Sequence, residues 1–196
     1  RVELAKKALE GGNYSEAVSL LAECLEYPHH LGEGKLHGAQ ENDFYYFMGC
    51  AYEGLGQNDK AVECWEQAIV GPTEPAAAMY YNDAKPDKIF YQGLAWRALG
   101  EEGKARGRFN KLIKHGEKHL FDHCRIDYFA VSLPDLAIWE DNLDKRNAIH
   151  CNYVMGLGYL GLEDRVHAIE YLDKARALDI NHQGAQIPVS YTHLTL

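Results

Sequence analysis

Apolar residues return at three- and four-residue intervals through Ile89, Phe90, Gly93, Leu94, Trp96 and Leu99, the period of a helix that buries one face. No segment shows the sustained alternation of a half-buried strand followed by a hairpin turn. The pattern also repeats on a longer scale. A small residue at Gly49 is followed by an aromatic at Tyr52, a turn glycine at Gly56, and then Ala61, Trp65 and Ala68. The same frame returns 44 residues on as Gly93, Trp96, Gly100, Ala105, Phe109 and Leu112. It returns 63 further as Gly156, Tyr159, Ala168, Leu172 and Ala175, with Glu163 where the turn glycine would stand. Counting back by 44 gives Gly12, Ala17, Leu21 and Cys24, preceded by Ala5 and Ala8 on a helix cut short at Arg1.

Each frame predicts two helices that cross where the small residues allow their backbones to approach, with the aromatics filling the space beside them. One such pair cannot bury its apolar face alone, so stacked neighbours complete the core. The glycine ending each first helix supplies a left-handed cap and a tight turn. The frame resembles the tetratricopeptide repeat. The resemblance implies an all-α fold, a tetratricopeptide-like αα superhelix of about four helix pairs with long inserts between them. A plain array has a period of about 34 residues, so the wider spacing places inserts at 27–42, 71–86 and 116–146. The third is expected to hold a further helix, opened by Ser132-Leu133-Pro134-Asp135 and running towards Glu140.

The strings MYYNDAKPDKIFYQGLA, FNKLIKHGEKHLFDH, RIDYFAVSLPDL and EDNLDKRNAIHCNYVMGLGYLGL resemble the C-terminal repeat region of a family of large bacterial proteins. In that family a β-rich region similar to sugar-binding mutarotase-like domains precedes the repeats. The likeness implies that the chain is part of something longer and linked to carbohydrate metabolism; it transfers no catalytic residue. It covers residues 1–184, which are expected to form the repeat array. The remainder, 185–196, has no charge and no helical stripe, and is expected to be a disordered or non-native tail.

Composition narrows the function classes. A formal net charge of -9 argues against a nucleic-acid backbone as partner, which needs clustered Lys and Arg. No apolar run approaches the length of a membrane span. The five cysteines, Cys24, Cys50, Cys64, Cys124 and Cys151, lie far apart with no CxxC pair. They fit reduced thiols in a cytoplasmic protein rather than a disulfide framework or zinc site.

In tetratricopeptide arrays the first helices line the concave surface, which here maps to Asp43, Tyr46, Cys50 and Glu53; to Asp87, Phe90, Leu94 and Arg97; and to His150, Tyr153, Leu157 and Leu160. The candidate groove residues are Asp43, Tyr46, Glu53, Asp87, Phe90, Arg97, His150 and Tyr153. The aromatic at the fifth position of each frame could grip an extended peptide, stack on a sugar ring, or pack beneath the inserts. The lysine and asparagine pattern with which some members clamp a C-terminal carboxylate is absent.

Other constellations have plainer readings. Gly156, Gly158 and Gly161 match GxGxxG, but two residues of that string, Gly156 and Tyr159, hold repeat positions inside a helix, whereas a phosphate cradle needs a strand and then a helix opening at the glycines. His115, His119 and His123, with Asp122 and Cys124 nearby, could offer a metal stripe, yet Gly116 is expected to interrupt the helix. Lys104, Arg108, Lys111, His115 and Lys118 share a face that suits solvent or an acidic partner. Asp135, Glu140, Asp141 and Asp144 around Trp139 are paired acids of the kind glycoside hydrolysis uses, or else caps and a charged turn. The expected function is a non-catalytic interaction or scaffold module with no cofactor and no metal, binding a protein or peptide or the N-terminal domain of the same chain. The alternative is an accessory region of a carbohydrate-active protein, with Tyr46, Phe90 and Tyr80-Tyr81 contributing to its pocket.

Overall fold

The computed structural model describes residues 1–27, 39–77, 83, 85–125 and 142–186. Among these, all regular structure is helical: α1 (Val2–Glu10), α2 (Tyr14–Cys24), α3 (Asn42–Gly54), α4 (Asn58–Ala68), α5 (Pro86–Ala98), α6 (Glu102–His119), α7 (Leu143–Gly161), α8 (Arg165–Leu178) and α9 (Gln183–Gln186). The architecture is tetratricopeptide-like. No helix of the described residues is long and apolar enough to cross a membrane. The expected helix from Ser132, the acids Asp135, Glu140 and Asp141 with Trp139, the Tyr80-Tyr81 pair and residues 187–196 lie outside the described residues.

The chain divides into two compact units, Arg1–Gly71 with Tyr91–Ala105, and Pro72–Phe90 with Arg106–Leu196. In the first, Ala5, Leu21, Tyr46, Phe47, Met48, Ala61, Trp65, Ala68 and Ala95 form one buried cluster. Gly49 allows it to close: a Cβ there would lie 2.3 Å from the Trp65 indole nitrogen, so α3 and α4 approach only because that atom is missing. In the second, Phe109, Leu112, Val154, Met155, Ala168, Leu172 and Ala175 are fully buried or nearly so. Gly156 does there what Gly49 does in the first unit, lying within 2.7 Å of the Leu172 side chain if given a Cβ. The small and apolar positions at the helix crossings are thus core positions, whereas the frame's Tyr52, Trp96 and Tyr159 are half-buried.

The turns between paired helices share one geometry. Gly12, Gly56 and Gly100 have φ of 72, 72 and 78°, and Glu163 occupies the same left-handed region at 65°. In each, the next amide reaches back five residues: Asn13 to Ala8, Gln57 to Tyr52, Glu101 to Trp96 and Asp164 to Tyr159, at 2.8–3.0 Å. This closes the orphan carbonyls of the first helix in a Schellman motif. Glu163 makes the motif against its own β-carbon, a cost of about 1–2 kcal/mol. Glu163→Gly is therefore expected to raise stability by about 1 kcal/mol, and an unchanged urea midpoint would count against a strained turn. Asp164 then opens α8, its side chain accepting from the His167 amide at 3.2 Å.

One expectation is corrected. Gly116 does not interrupt its helix: α6 runs through it to His119. The glycine is there for clearance, since a Cβ would stand 2.4 Å from Met155 Cγ and 2.7 Å from the Cys151 carbonyl oxygen of α7. The third insert is correspondingly shorter, from the end of α6 to the Asn142 cap, whose side chain accepts from the Lys145 amide at 2.8 Å. At the other end of the chain, residues 183–186 form α9 and Ala185 is fully buried.

Candidate functional site

In the first unit, the candidate groove residues are Asp43, Tyr46 and Glu53 on α3 and Arg97 on α5. Tyr46 is buried, its ring 5.5 Å from Phe47 and 5.6 Å from Tyr91. Burial first, and then the neighbouring Cys50 thiol, push its phenol well above the ordinary range. Burial also raises Cys50 to about 11, so neither group is a nucleophile at neutral pH. Glu53 is exposed and Asp43 half-buried. The Arg97 guanidinium donates from two nitrogens to the Glu102 carboxylate at 2.9 and 3.1 Å, a bidentate pair.

In the second unit the set is Asp87 and Phe90 on α5, and His150 and Tyr153 on α7. Phe90 is buried with its ring 5.9 Å from Phe109. Tyr153 is buried beside His182, 4.7 Å between ring centroids, and lies against Gly184, where a Cβ would fall 2.6 Å from its hydroxyl oxygen. Desolvation lifts its phenol far above the usual range, helped by the Asp87 charge. His150 is buried and donates from Nε2 to the Ala76 carbonyl at 2.8 Å. Burial lowers its pKa to about 4, so it is neutral at pH 7. The aromatic faces are covered by the chain itself, and what the eight residues offer to solvent is mostly polar.

The histidine stripe is drawn into local pairs. His119 Nδ1 donates to Asp122 at 2.6 Å and His123 Nδ1 to Asp144 at 2.8 Å, while Asp144 also accepts from the Cys124 amide at 2.7 Å. The His115 ring sits 4.7 Å from His119 and 5.9 Å from His150. Among the described residues no three His, Cys, Asp or Glu side chains form a group able to hold a metal ion. All five cysteines are free thiols. The basic stripe is partly used internally as well: Lys104 covers the Trp96 ring at 4.3 Å and pairs with Glu101, and Lys111 pairs with Glu74.

The GxGxxG string is a packing device. Gly156 faces Leu172 of α8, whereas Gly158 and Gly161 face α6, where Cβ atoms would lie 2.7 Å from the Phe109 carbonyl oxygen and 2.1 Å from its ring. With Gly116 on α6, the glycines let α6 and α7 touch backbone to backbone. Gly158→Ala is expected to cost about 1–3 kcal/mol through that clash; unchanged thermal unfolding would contradict the close approach.

Two arrangements escaped the sequence reading. Buried amides on first helices cap the ends of second helices: Asn42 Nδ2, at the start of α3, donates to the Ala68 and Val70 carbonyls at the end of its own partner α4 at 2.7 Å, and Asn147 Nδ2 of α7 to the His119 carbonyl at the end of the preceding α6 at 2.7 Å. They take up carbonyls that a helix end leaves open. The repeat aromatics are also each covered by the residue eight positions later. Lys60 lies 5.3 Å from Tyr52, Lys104 4.3 Å from Trp96, and His167 5.0 Å from Tyr159. That constant offset was visible in the sequence and could have been found there.

Paired helices closed by one recurring turn, with small residues at each crossing, define an αα-repeat protein. Within the chain, residues 43–69, which span α3 and α4, match the family model of the tetratricopeptide repeat. Such repeats generally mediate protein–protein interaction or scaffolding.

Proposed function

We propose that this chain is a non-catalytic interaction or scaffold module of a larger bacterial, cytoplasmic protein. Its partner is a protein or peptide, or an N-terminal domain of the same chain. The observation that carries this reading is the tetratricopeptide match over residues 43–69. The contact residues are Asp43, Glu53 and Arg97 with Tyr46 in one unit, and Asp87 and His150 with Phe90 and Tyr153 in the other. The polar members make the contact and the buried rings hold them in place. The test is a photo-crosslinking pull-down with the wild-type chain beside Asp43→Lys and Glu53→Lys. A partner retained by the wild type and lost by both variants is expected. A partner set that ignores these charges would remove the assignment.

A second reading rests on the resemblance of four strings of the sequence to repeat regions that follow a mutarotase-like domain. On that reading the array buttresses a sugar-binding domain. A glycan panel separates the two: the interaction module leaves every glycan unbound, whereas a saturable shift with a sugar supports the accessory role.

A further inference from the structure

The segment Pro72–Ala77, between α4 and α5, forms no helix, yet it is held at two points. The Glu74 carboxylate accepts from the Lys111 ammonium on α6, and the Ala76 carbonyl accepts from Nε2 of His150 on α7. All of these residues belong to one compact unit. We infer that the edge formed by Lys111 and His150 is a peptide-binding surface occupied here by the chain's own segment, and that its partner is an extended, acidic, proline-bearing peptide that displaces it. The inference deepens the interaction-module reading and rests on it.

Three features support it. Pro72 and Pro75 restrict the backbone and favour extended geometry, so little ordering is lost when the segment lies across the helices. The two contacts are those a separate peptide would make, one carboxylate to an amine and one main-chain carbonyl to an imidazole N–H. The first is sensitive to charge and the second is indifferent to side-chain identity. The hold is also weak enough to exchange. Glu74 is 72% and Lys111 38% exposed, the regime in which ion pairs contribute little.

His150 explains why the surface does not stay empty. Its ring is buried, so an Nε2–H without an acceptor would carry a desolvation penalty, and whatever removes the segment must replace the carbonyl. An acidic partner is favoured because α6 also exposes Lys114 and Lys118 beyond Lys111. The tethered segment competes as an intramolecular ligand at an effective concentration of order millimolar, which sets the threshold a partner must exceed.

The probe is the synthetic peptide Gly71–Ala77, GPTEPAA, titrated by NMR into the intact chain and into a chain with residues 72–77 replaced by Gly-Ser of equal length. Saturable binding to the replaced chain is expected, with the intact chain about tenfold weaker or more because its site is already filled. Lys111→Glu in the replaced chain should weaken binding about threefold, and a peptide carrying Lys for Glu should recover it. A folded replaced chain that shows no saturable binding, or binding indifferent to Lys111→Glu, overturns the inference. Should the replaced chain not fold, hydrogen exchange on Glu74→Lys decides. Faster exchange confined to the segment supports displacement, while loss of protection spreading through α6 and α7 makes the segment a structural brace. Failure to capture a cellular partner would sink the interaction-module reading and leave these read-outs untouched, because they use the chain's own peptide.

Discussion

Replacing Phe109 by alanine should destabilise the second unit by about 3–5 kcal/mol, the range for emptying a buried aromatic site. Phe109 is completely buried. Its ring lies where a Cβ on Gly161 would be 2.1 Å away, and Phe90 stands at 5.9 Å on another side. The cavity would not collapse readily, because α6 and α7 are already in backbone contact at Gly158 and Gly116 and have no room to close further. A companion change isolates the cause. Gly161→Ala alone should clash with the ring, but in the Phe109→Ala background its methyl enters the vacated space, so the two changes should couple favourably by about 1–2 kcal/mol. Urea unfolding of the four chains of this cycle measures the coupling. A single-variant cost below about 1 kcal/mol, or strict additivity, would mean that the ring and glycine do not share this contact.

Acid should weaken the same unit through His150. The ordinary imidazole value is 6.5 and burial lowers it to about 4 in the folded chain. Between these values the unfolded chain holds a proton that the folded chain refuses, so stability is fully present above pH 6.5 and falls as pH drops towards 4. The difference amounts to about 3 kcal/mol, at about 1.4 kcal/mol per pH unit. His115 and His182, also lowered chiefly by burial, act with the same sign. The groups acting on His150 are the Ala76 carbonyl and the charges of His115, Arg146 and His182, of which only the carbonyl favours protonation. Glutamine keeps a donor for Ala76 without titrating, so His150→Gln should flatten the profile by about one proton between pH 4 and 6.5. Identical slopes for the two proteins would place the acid sensitivity elsewhere.

Much of the fold was legible because a repeat states its rule several times. Ala17, Leu21, Ala61, Trp65, Ala68, Ala105, Phe109, Leu112, Ala168, Leu172 and Ala175 all prove buried, as the frame required. The left-handed turns were equally readable, down to Glu163 standing in a glycine's place. The candidate groove was less so. Position along a helix says which side a residue takes, but not what another segment lays over it. Thus Tyr153 meets His182 and Gly184, and His150 meets Ala76. Gly116 misled for a related reason: glycine is a poor helix former in isolation, and only the nearness of α7 shows why the helix tolerates it.

The sequence by itself determined the helix pairs, their turns and the residues of the core, because these follow from periodicity and local backbone preference. Tertiary structure alone decided that Gly116, Gly158 and Gly161 are contacts between helices. It also decided which histidine is buried and neutral, and that a short proline-bearing segment rests on Lys111 and His150. These depend on residues 37 and 74 positions apart meeting in space, and no local pattern encodes that distance.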